Sequence, residues 1–290
     1  MKIKKILNNN AVVVNDLGEE KIVMGSGIAF QKGKNDIIDP SLIEKVFIMD
    51  DPDQYGHLQE MLGTLPEEEI TASEQIISYA ERELEVTFNE HIHIALTDHL
   101  SFALERIAKG TMIQNTLLDE IRILYPREFQ IGQQAKNIIH ETLQVEIPED
   151  EVGYIAMHIH TAWKNAGAHG TDTEMAAMIR DIAEGVEQAA GVTLKRGSAT
   201  YERLVTQLEN ILKSDETGKL LNELNPEIVR IAKERYARAY LQAKEVGDQV
   251  EEDYGYTFID SQLVFIAMEI DRICTRSMDG NILKSNNTGL

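Results

Sequence analysis

The chain has 290 residues, and its hydrophobic share of 43% and aromatic share of 6% suit two or three ordinary globular domains. Its formal net charge of −21 at pH 7 argues against nucleic-acid binding by most of the surface. No apolar run reaches the length of a membrane span, and asparagines interrupt the N-terminal segment where a signal peptide needs an apolar stretch. We therefore expect a cytoplasmic protein with no membrane partner. The single cysteine, Cys274, excludes an internal disulfide.

The negative charge is unevenly distributed. Residues 1–50 contain seven lysines and seven acidic residues, whereas the rest of the chain carries 21 basic and 42 acidic residues. A polyanion would be repelled by that second part. Any contact with a nucleic acid should therefore lie in the first 50 residues.

These first 50 residues predict four short strands of an antiparallel sheet. The apolar runs at 11–14 and 21–25 flank a turn-forming cluster at 15–18, and further apolar runs follow at 27–31 and 44–49. So small a domain buries little surface, and we expect two copies to associate as a homodimer. The polar stretch 50–56 is predicted to separate this domain from the rest of the chain.

From about residue 58 the apolar residues recur three and four apart, which is typical of helices. We predict a multidomain α+β protein in which the small sheet precedes two all-α helical bundles. A linker at 165–174 separates the bundles. The first set of predicted helices covers 73–85, 92–108, 112–125, 129–143 and 149–163, and the second covers 175–189, 201–212, 225–254 and 261–273.

The two helical blocks are a repeat. Ile-Ala-Met occurs in both at a shift of 111 residues, and Gln-Ala-Lys occurs in both at a shift of 108. These shifts align His158 with Glu269 and His99 with Gln207. The second copy has therefore lost the imidazoles of the first at both positions.

All eight histidines precede the second bundle, and two pairs have the spacing His-x-His. Residues two apart on a helix point in different directions, so these pairs are poor chelators and no metal site is predicted. No nucleophile or glycine-rich motif accompanies them, so we expect no catalytic residue, no cofactor and no enzyme activity. Spacing alone leaves open that His99 and His158 are ordinary polar residues on helices.

Long stretches of the chain resemble the BglG/SacY-type transcriptional antiterminators, in particular their LicT-like members. They include KILNNNAVVV, VMGSGIAFQKGKND, SYAERELEVTFNEHIHIALTDHLSFALER and PEDEVGYIAMHIH. The resemblance implies a dimeric RNA-binding domain over 1–56, regulation domains of the sugar phosphotransferase system (PTS) over 57–170 and 171–280, and a polar tail over 281–290. Such proteins bind a leader-RNA hairpin of a sugar operon, here one for β-glucosides, and so prevent an overlapping terminator from forming.

The residues expected to bind RNA suit recognition of single-stranded bases and backbone. An asparagine can bond a base edge, glycines allow close approach, an aromatic ring can stack, and lysines contact phosphate. Family members often have a basic residue where this chain has Ser26. Phe30 could instead belong to the sheet core. The expected RNA-binding residues are Lys5, Asn10, Gly25, Ser26, Gly27, Phe30, Gln31 and Lys32.

The resemblance also implies that His99 and His158 accept phosphate from a sugar-specific PTS enzyme II component. Phosphate adds about −1.5 to −2 charge, which would loosen a dimer when it appears twice at the two-fold interface. In the family, the second bundle ordinarily accepts phosphate from the phosphocarrier HPr as an activating signal, but Gln207 and Glu269 cannot accept it. Either Glu269 supplies a permanent negative charge that locks the second bundle, or that bundle is a dimerisation scaffold. The sequence leaves open its response to HPr, the sugar, the transporter and the active phosphorylation state.

Two other functions are considered. A PTS-regulated DNA-binding activator would need helix-turn-helix segments, whereas residues 1–50 predict strands. A phosphocarrier intermediate would leave the RNA-binding segment unexplained.

Overall fold

The structure, a computed structural model, describes residues 1–16, 18–48, 51–165, 172–212 and 224–285. The chain divides into two compact units, one of residues 1–115 and 127–170 and the other of residues 116–126 and 171–290. In this described part, no helix has the combined length and apolarity needed to cross a bilayer. Most of the predicted linker at 165–174 and half of the predicted tail at 281–290 lie outside the described residues.

Four strands near the N-terminus form one antiparallel sheet in the order β1-β2-β3-β4. The register sets Ile3 opposite Val14, and Val12 opposite Val23. The predicted fold class is confirmed, because eleven helices follow this sheet in the described ranges. The strands are β1 (Lys2–Asn8), β2 (Ala11–Asp16), β3 (Glu19–Met24) and β4 (Lys45–Phe47), and a short 3-10 helix covers Pro40–Leu42.

The helices follow the predicted periodicity with three corrections. The helix predicted at 112–125 covers only Leu118–Leu124, and it belongs to the second compact unit and not to the first set. The first helix begins inside the stretch predicted as a separator, because Pro52 occupies its first turn and Asp51 Oδ1 accepts the Asp53 N–H over 2.9 Å. The predicted helix at 225–254 divides at Tyr236. The helices are α1 (Pro52–Thr64), α2 (Glu67–Leu84), α3 (His91–Ala108), α4 (Leu118–Leu124), α5 (Pro126–Leu143), α6 (Glu149–Asn165), α7 (Asp172–Ala190), α8 (Ala199–Leu212), α9 (Pro226–Arg235), α10 (Ala237–Tyr254) and α11 (Asp260–Ser285).

The strand predicted at 27–31 is wrong. This segment forms consecutive turns, in which the Phe30 N–H donates to the Gly27 carbonyl over 2.9 Å. Gly27 and Gln31 have φ values of 66° and 55°, which strands do not use. The apolar run exists because residues such as Ile28 are buried beneath the loop. The fourth strand of the sheet is instead β1, which was not predicted because its lysines interrupt the alternation of apolar and polar residues that is typical of a strand.

The sheet buries apolar side chains on both faces. On one face, Val13 and Phe47 pack with residues of α1, α2 and α3, including Leu62 and Ile94. On the other face, the loop after β3 covers the sheet in a second cluster. Within the first unit, the sheet therefore packs directly against helices of the first bundle, which carry its histidines. The second cluster contains Ile3, Val12, Val14, Val23, Ile28, Ala29 and Ile38.

The repeat is visible in the cores of the two bundles. Leu96 and Leu100 of α3 are buried, and so are Leu204 and Leu208 at the matching positions of α8. The Ile-Ala pairs of α6 and α11 are buried likewise. The same positions thus serve as core in both copies, and the differences lie in the polar residues beside them.

Candidate functional sites

Most of the expected RNA-binding residues lie together in one loop that is fastened to Asn10. The Gly25 N–H donates to the Asn10 carbonyl over 2.9 Å, and the Gly27 N–H donates to Asn10 Oδ1 over 2.7 Å. The Ala29 N–H donates to the Asn9 carbonyl over 3.0 Å. The β1–β2 turn therefore holds residues 25–32 in one conformation.

Both glycines of this loop are required by the fold. A Cβ atom at Gly25 would lie 1.7 Å from the Leu42 carbonyl oxygen, which no side chain could tolerate. Gly27 has a φ of 66°, in the left-handed region that glycine adopts without strain. Close approach of RNA is therefore not needed to explain either glycine.

The other expected RNA-binding residues of the loop face solvent. The Phe30 side chain is 65% exposed, so the alternative that places it in the sheet core is wrong. Ser26, Gln31 and Lys32 are all exposed at the surface of the same loop. Lys5 lies apart on β1, where it pairs with Val13.

Two carboxylates beside the loop were not predicted. The Ser26 N–H donates to Glu44 Oε1 over 3.1 Å, and the Asn9 N–H donates to Glu67 Oε1 over 3.1 Å. Glu44 precedes β4 and Glu67 begins α2. No motif in the sequence connects either residue to the loop, because the contact depends on how the sheet packs on the helices.

In the first bundle, His99 of α3 and His158 of α6 form a close pair. Their ring centroids are 4.8 Å apart and the planes are inclined by 43°. The ring of Tyr154, one turn before His158, has its centroid 5.7 Å from that of His99. The packing of α3 against α6 thus unites the two histidines that the sequence singled out.

A buried carboxylate supports this pair. Glu151 is 3% exposed, and its two oxygens lie 3.1 Å from His99 Nε2 and 2.8 Å from Arg106 Nη2. Burial opposes ionisation of Glu151, but its interactions with His99 and Arg106 prevail and lower its pKa. Neither Glu151 nor Arg106 was predicted, since only the fold brings them to His99.

The surroundings of His158 keep its imidazole neutral. Burial, followed by the charges of His99 and His91, lowers the pKa of His158 to about 4. His158 is therefore neutral at pH 7, and one of its ring nitrogens carries a lone pair. A neutral imidazole is a competent nucleophile.

The second members of the His-x-His pairs have structural partners. His93 Nδ1 lies 2.7 Å from Glu74 Oε1, whose other oxygen is 3.1 Å from Lys45 Nζ. His160 Nδ1 lies 2.7 Å from Glu128 Oε1, and both residues are buried. These histidines are satisfied within the packed interior.

The second bundle holds an ion cluster where the first has its histidines. Glu269 Oε2 accepts hydrogen bonds from Arg203 Nη2 over 2.7 Å and from Arg272 Nε and Nη2 over 3.0 and 2.6 Å. Gln207 is exposed. Neither arginine was predicted to bind Glu269. The aligned residues of the first copy are Ala95 and Thr161, so a comparison of the two copies could have revealed both arginines.

Comparisons with known proteins cover nearly the whole chain. Residues 1–55 match the CAT RNA binding domain, and residues 74–162 and 180–273 match the PRD domain. Transcription antiterminator LicT of Bacillus subtilis (strain 168) is 35% identical over 274 residues, covering 94% of this chain and 99% of the relative. The Beta-glucoside operon antiterminator of Dickeya chrysanthemi is 34% identical, covering 94% and 96%. The crystal structure of GlcT CAT-PRDI is 36% identical with a TM-score of 0.51, covering 56% of this chain and 96% of that one.

Proposed function

The chain belongs to the RNA-binding transcription antiterminators that join a CAT domain to PRD domains, and on this premise we propose that it stabilises a leader-RNA hairpin against terminator formation. The operon is one for sugar use, and the name of the Dickeya relative supports β-glucosides. The proposed domains are 1–56, 57–170 and 171–280, with a tail at 281–290. The proposed site of action is the cytoplasm, where leader RNA is made.

The match of residues 1–55 to an RNA binding domain opposes the alternative of a DNA-binding activator. Those residues form a sheet and its loops, with no helix-turn-helix segment among the described ones. The members of this family are RNA-binding regulators and not enzymes.

The proposed RNA surface is the loop fastened to Asn10. The exposed ring of Phe30 supports base stacking, and Lys32 beside it supports phosphate contact. Asn10, Gly25 and Gly27 set the loop's shape, with Ser26 and Gln31 at its surface, while Lys5 would contact backbone from β1. Ile37 and Ile48, which are 64% and 53% exposed, support association of the sheet domain with a second copy.

We further propose that His99 and His158 accept phosphate from a sugar-specific enzyme II component. The main support is the pairing of their rings, whose centroids are 4.8 Å apart beside Glu151 and Arg106. Arg106 Nε is buried without a hydrogen-bond partner among the described residues, so it can meet an incoming phosphoryl oxygen. The added negative charge would loosen the dimer and release the RNA.

For the second bundle, we propose a permanent lock made by Glu269. Arg203 and Arg272 both donate hydrogen bonds to the Glu269 carboxylate, and two arginines would bind a phosphoryl group in the same way. Arg203 Nε and Arg272 Nη1 are buried with no hydrogen-bond partner among the described residues, so one carboxylate satisfies fewer donors than three phosphoryl oxygens would. HPr would find no acceptor at Gln207 or Glu269.

A gel-shift titration tests the RNA-binding function. The full chain should retard a leader-RNA hairpin and leave duplex DNA of equal length unshifted. Phe30→Ala should weaken hairpin binding by about 1–3 kcal/mol, the typical contribution of one stacked base. Phe102→Ala, which removes a phenyl ring that is 60% exposed on α3, is the matched control. Equal retardation of RNA and DNA would contradict the proposal.

A further inference from the structure

The two acceptor histidines occupy one small space. Their ring centroids are 4.8 Å apart, although they come from different helices. The His99 side chain is only 16% exposed, and the charge on His99 depresses the pKa of His158. A change of charge on one ring is therefore felt by the other.

The surroundings of the pair can compensate one phosphoryl group. Arg106 is the only permanently charged cation joined to the pair by the contacts of the described residues, and it already shares Glu151. One buried donor of Arg106, its Nε, has no hydrogen-bond partner in that part of the chain. His91, whose charge also acts on His158, is exposed. Two adjacent groups of about −1.5 to −2 charge would repel each other beside a single guanidinium and a buried carboxylate.

We propose that His99 and His158 are one shared phosphorylation site, which holds a single phosphoryl group at a time and passes it between the two imidazoles. The proposal rests on the proposed phosphorylation of the first bundle and adds its stoichiometry and an internal transfer.

In the transfer, the lone pair of one ring nitrogen attacks phosphorus and a new N–P bond forms. The N–P bond to the other ring breaks, and its electron pair returns to the leaving nitrogen. The attacking ring gives its remaining N–H proton to water, and the leaving ring takes one up, so charge and protons balance. Such a step needs reacting atoms about 3–3.5 Å apart, a spacing that rings with centroids 4.8 Å apart can provide.

The test uses phosphoramidate, a small reagent in which imidazole nitrogen attacks phosphorus and ammonia leaves. The full chain is treated to saturation, and phosphohistidine at His99 and at His158 is quantified by peptide mass spectrometry under alkaline conditions. The summed occupancy of the two peptides should level off at about one phosphoryl group per chain. In His99→Ala and His158→Ala, the remaining histidine alone should fill to about one.

His140 supplies the matched control, because its side chain is half exposed and pairs with Glu146 away from this site. His140→Ala should leave the summed occupancy unchanged. After removal of the reagent, the ratio of the two occupancies should drift while their sum holds.

Three results would overturn the proposal. A summed occupancy near two would show two independent acceptors and leave the proposed function intact. A ratio that stays fixed while both sites hydrolyse would refute the transfer. Absence of phosphate from both peptides, with His140 modified normally, would refute the proposed phosphorylation of the first bundle together with the shared site.

Discussion

The two bundles use the same core positions to support opposite kinds of polar site. In the first, His99 and His158 pair beside Glu151, and the neutral imidazole of His158 is a proposed phosphate acceptor. In the second, Glu269 already carries that charge and two guanidinium groups bind it. In the proposed function, one scaffold serves both as a switch and as a fixed lock, and the two differ by a few largely buried polar side chains.

The largest expected effect comes from removing the acceptor. In the double variant His99→Ala/His158→Ala, antitermination should proceed without inducer, because no phosphate can accumulate at the shared site. An operon-reporter assay with and without inducer measures it, and His140→Ala should retain normal control. Persistent inducer dependence in His99→Ala/His158→Ala would show that this pair is not the control point.

The second prediction breaks the fixed lock. Glu269→Gln keeps the size of the side chain but removes its charge, leaving Arg203 and Arg272 without their shared carboxylate. If Glu269 acts as a permanent charge, antitermination should fall in the reporter assay. The second unit should also lose about 1–3 kcal/mol of stability, the usual cost of depriving charged groups of hydrogen bonds. Glu202→Gln, at an exposed position of α8, is a control for removing one acidic charge from that unit.

Unchanged antitermination in Glu269→Gln would favour the second bundle as a dimerisation scaffold. Lower stability with unchanged antitermination would give the ion cluster around Glu269 a structural role alone. Thermal unfolding measured beside the reporter assay separates these outcomes.

The third prediction concerns the support of the histidine pair. Because the pKa of Glu151 is lowered in the folded chain, its ionised form stabilises the fold above the unfolded pKa of about 4.3. That stabilisation is lost as pH falls through the lowered folded value. At pH 7, Glu151→Gln should cost about 1–3 kcal/mol of unfolding free energy. The difference from the wild type should shrink below about pH 4, as urea unfolding at several pH values can show.

The second copy provides the comparison for this substitution. Gln262 occupies the position that matches Glu151, and it is buried with its Nε2 donating to the Ile211 carbonyl over 3.0 Å. A neutral amide is therefore compatible with this place in the scaffold. A pH-independent cost in Glu151→Gln would indicate lost packing and not lost charge.

The sequence predicted the elements whose signal is periodic and missed those that depend on distant contacts. The repeat singled out His99 and His158, but only the packing of α3 on α6 shows that their rings meet. Glu151 and Arg106 carry no motif that links them to His99. The arginines around Glu269 could have been found, because they appear in the copy that lost its histidines.

The errors in secondary structure have the same origin. Residues 27–31 were predicted as a strand because they are apolar, yet their apolar side chains fill the space beneath a loop. The start of α1 was missed because Pro52 and Gly56 are common in turns, whereas Asp51 and Pro52 together begin a helix well.

The smallest effect is expected from a change that touches neither bundle. Ser26→Arg adds a cation to the proposed RNA-binding loop, where Ser26 is exposed and family members often have a basic residue. One additional phosphate contact should tighten hairpin binding several-fold at low salt and steepen the slope of log K against log salt by about 0.7–0.9. Ser26→Gln, which adds length without charge, should leave the slope unchanged, and filter binding over a salt series measures both variants.

Since the bundles are unaltered, control by inducer should persist in Ser26→Arg, which separates RNA affinity from the phosphate switch. An unchanged slope in Ser26→Arg would place residue 26 outside the interface and leave the contrast between the bundles intact.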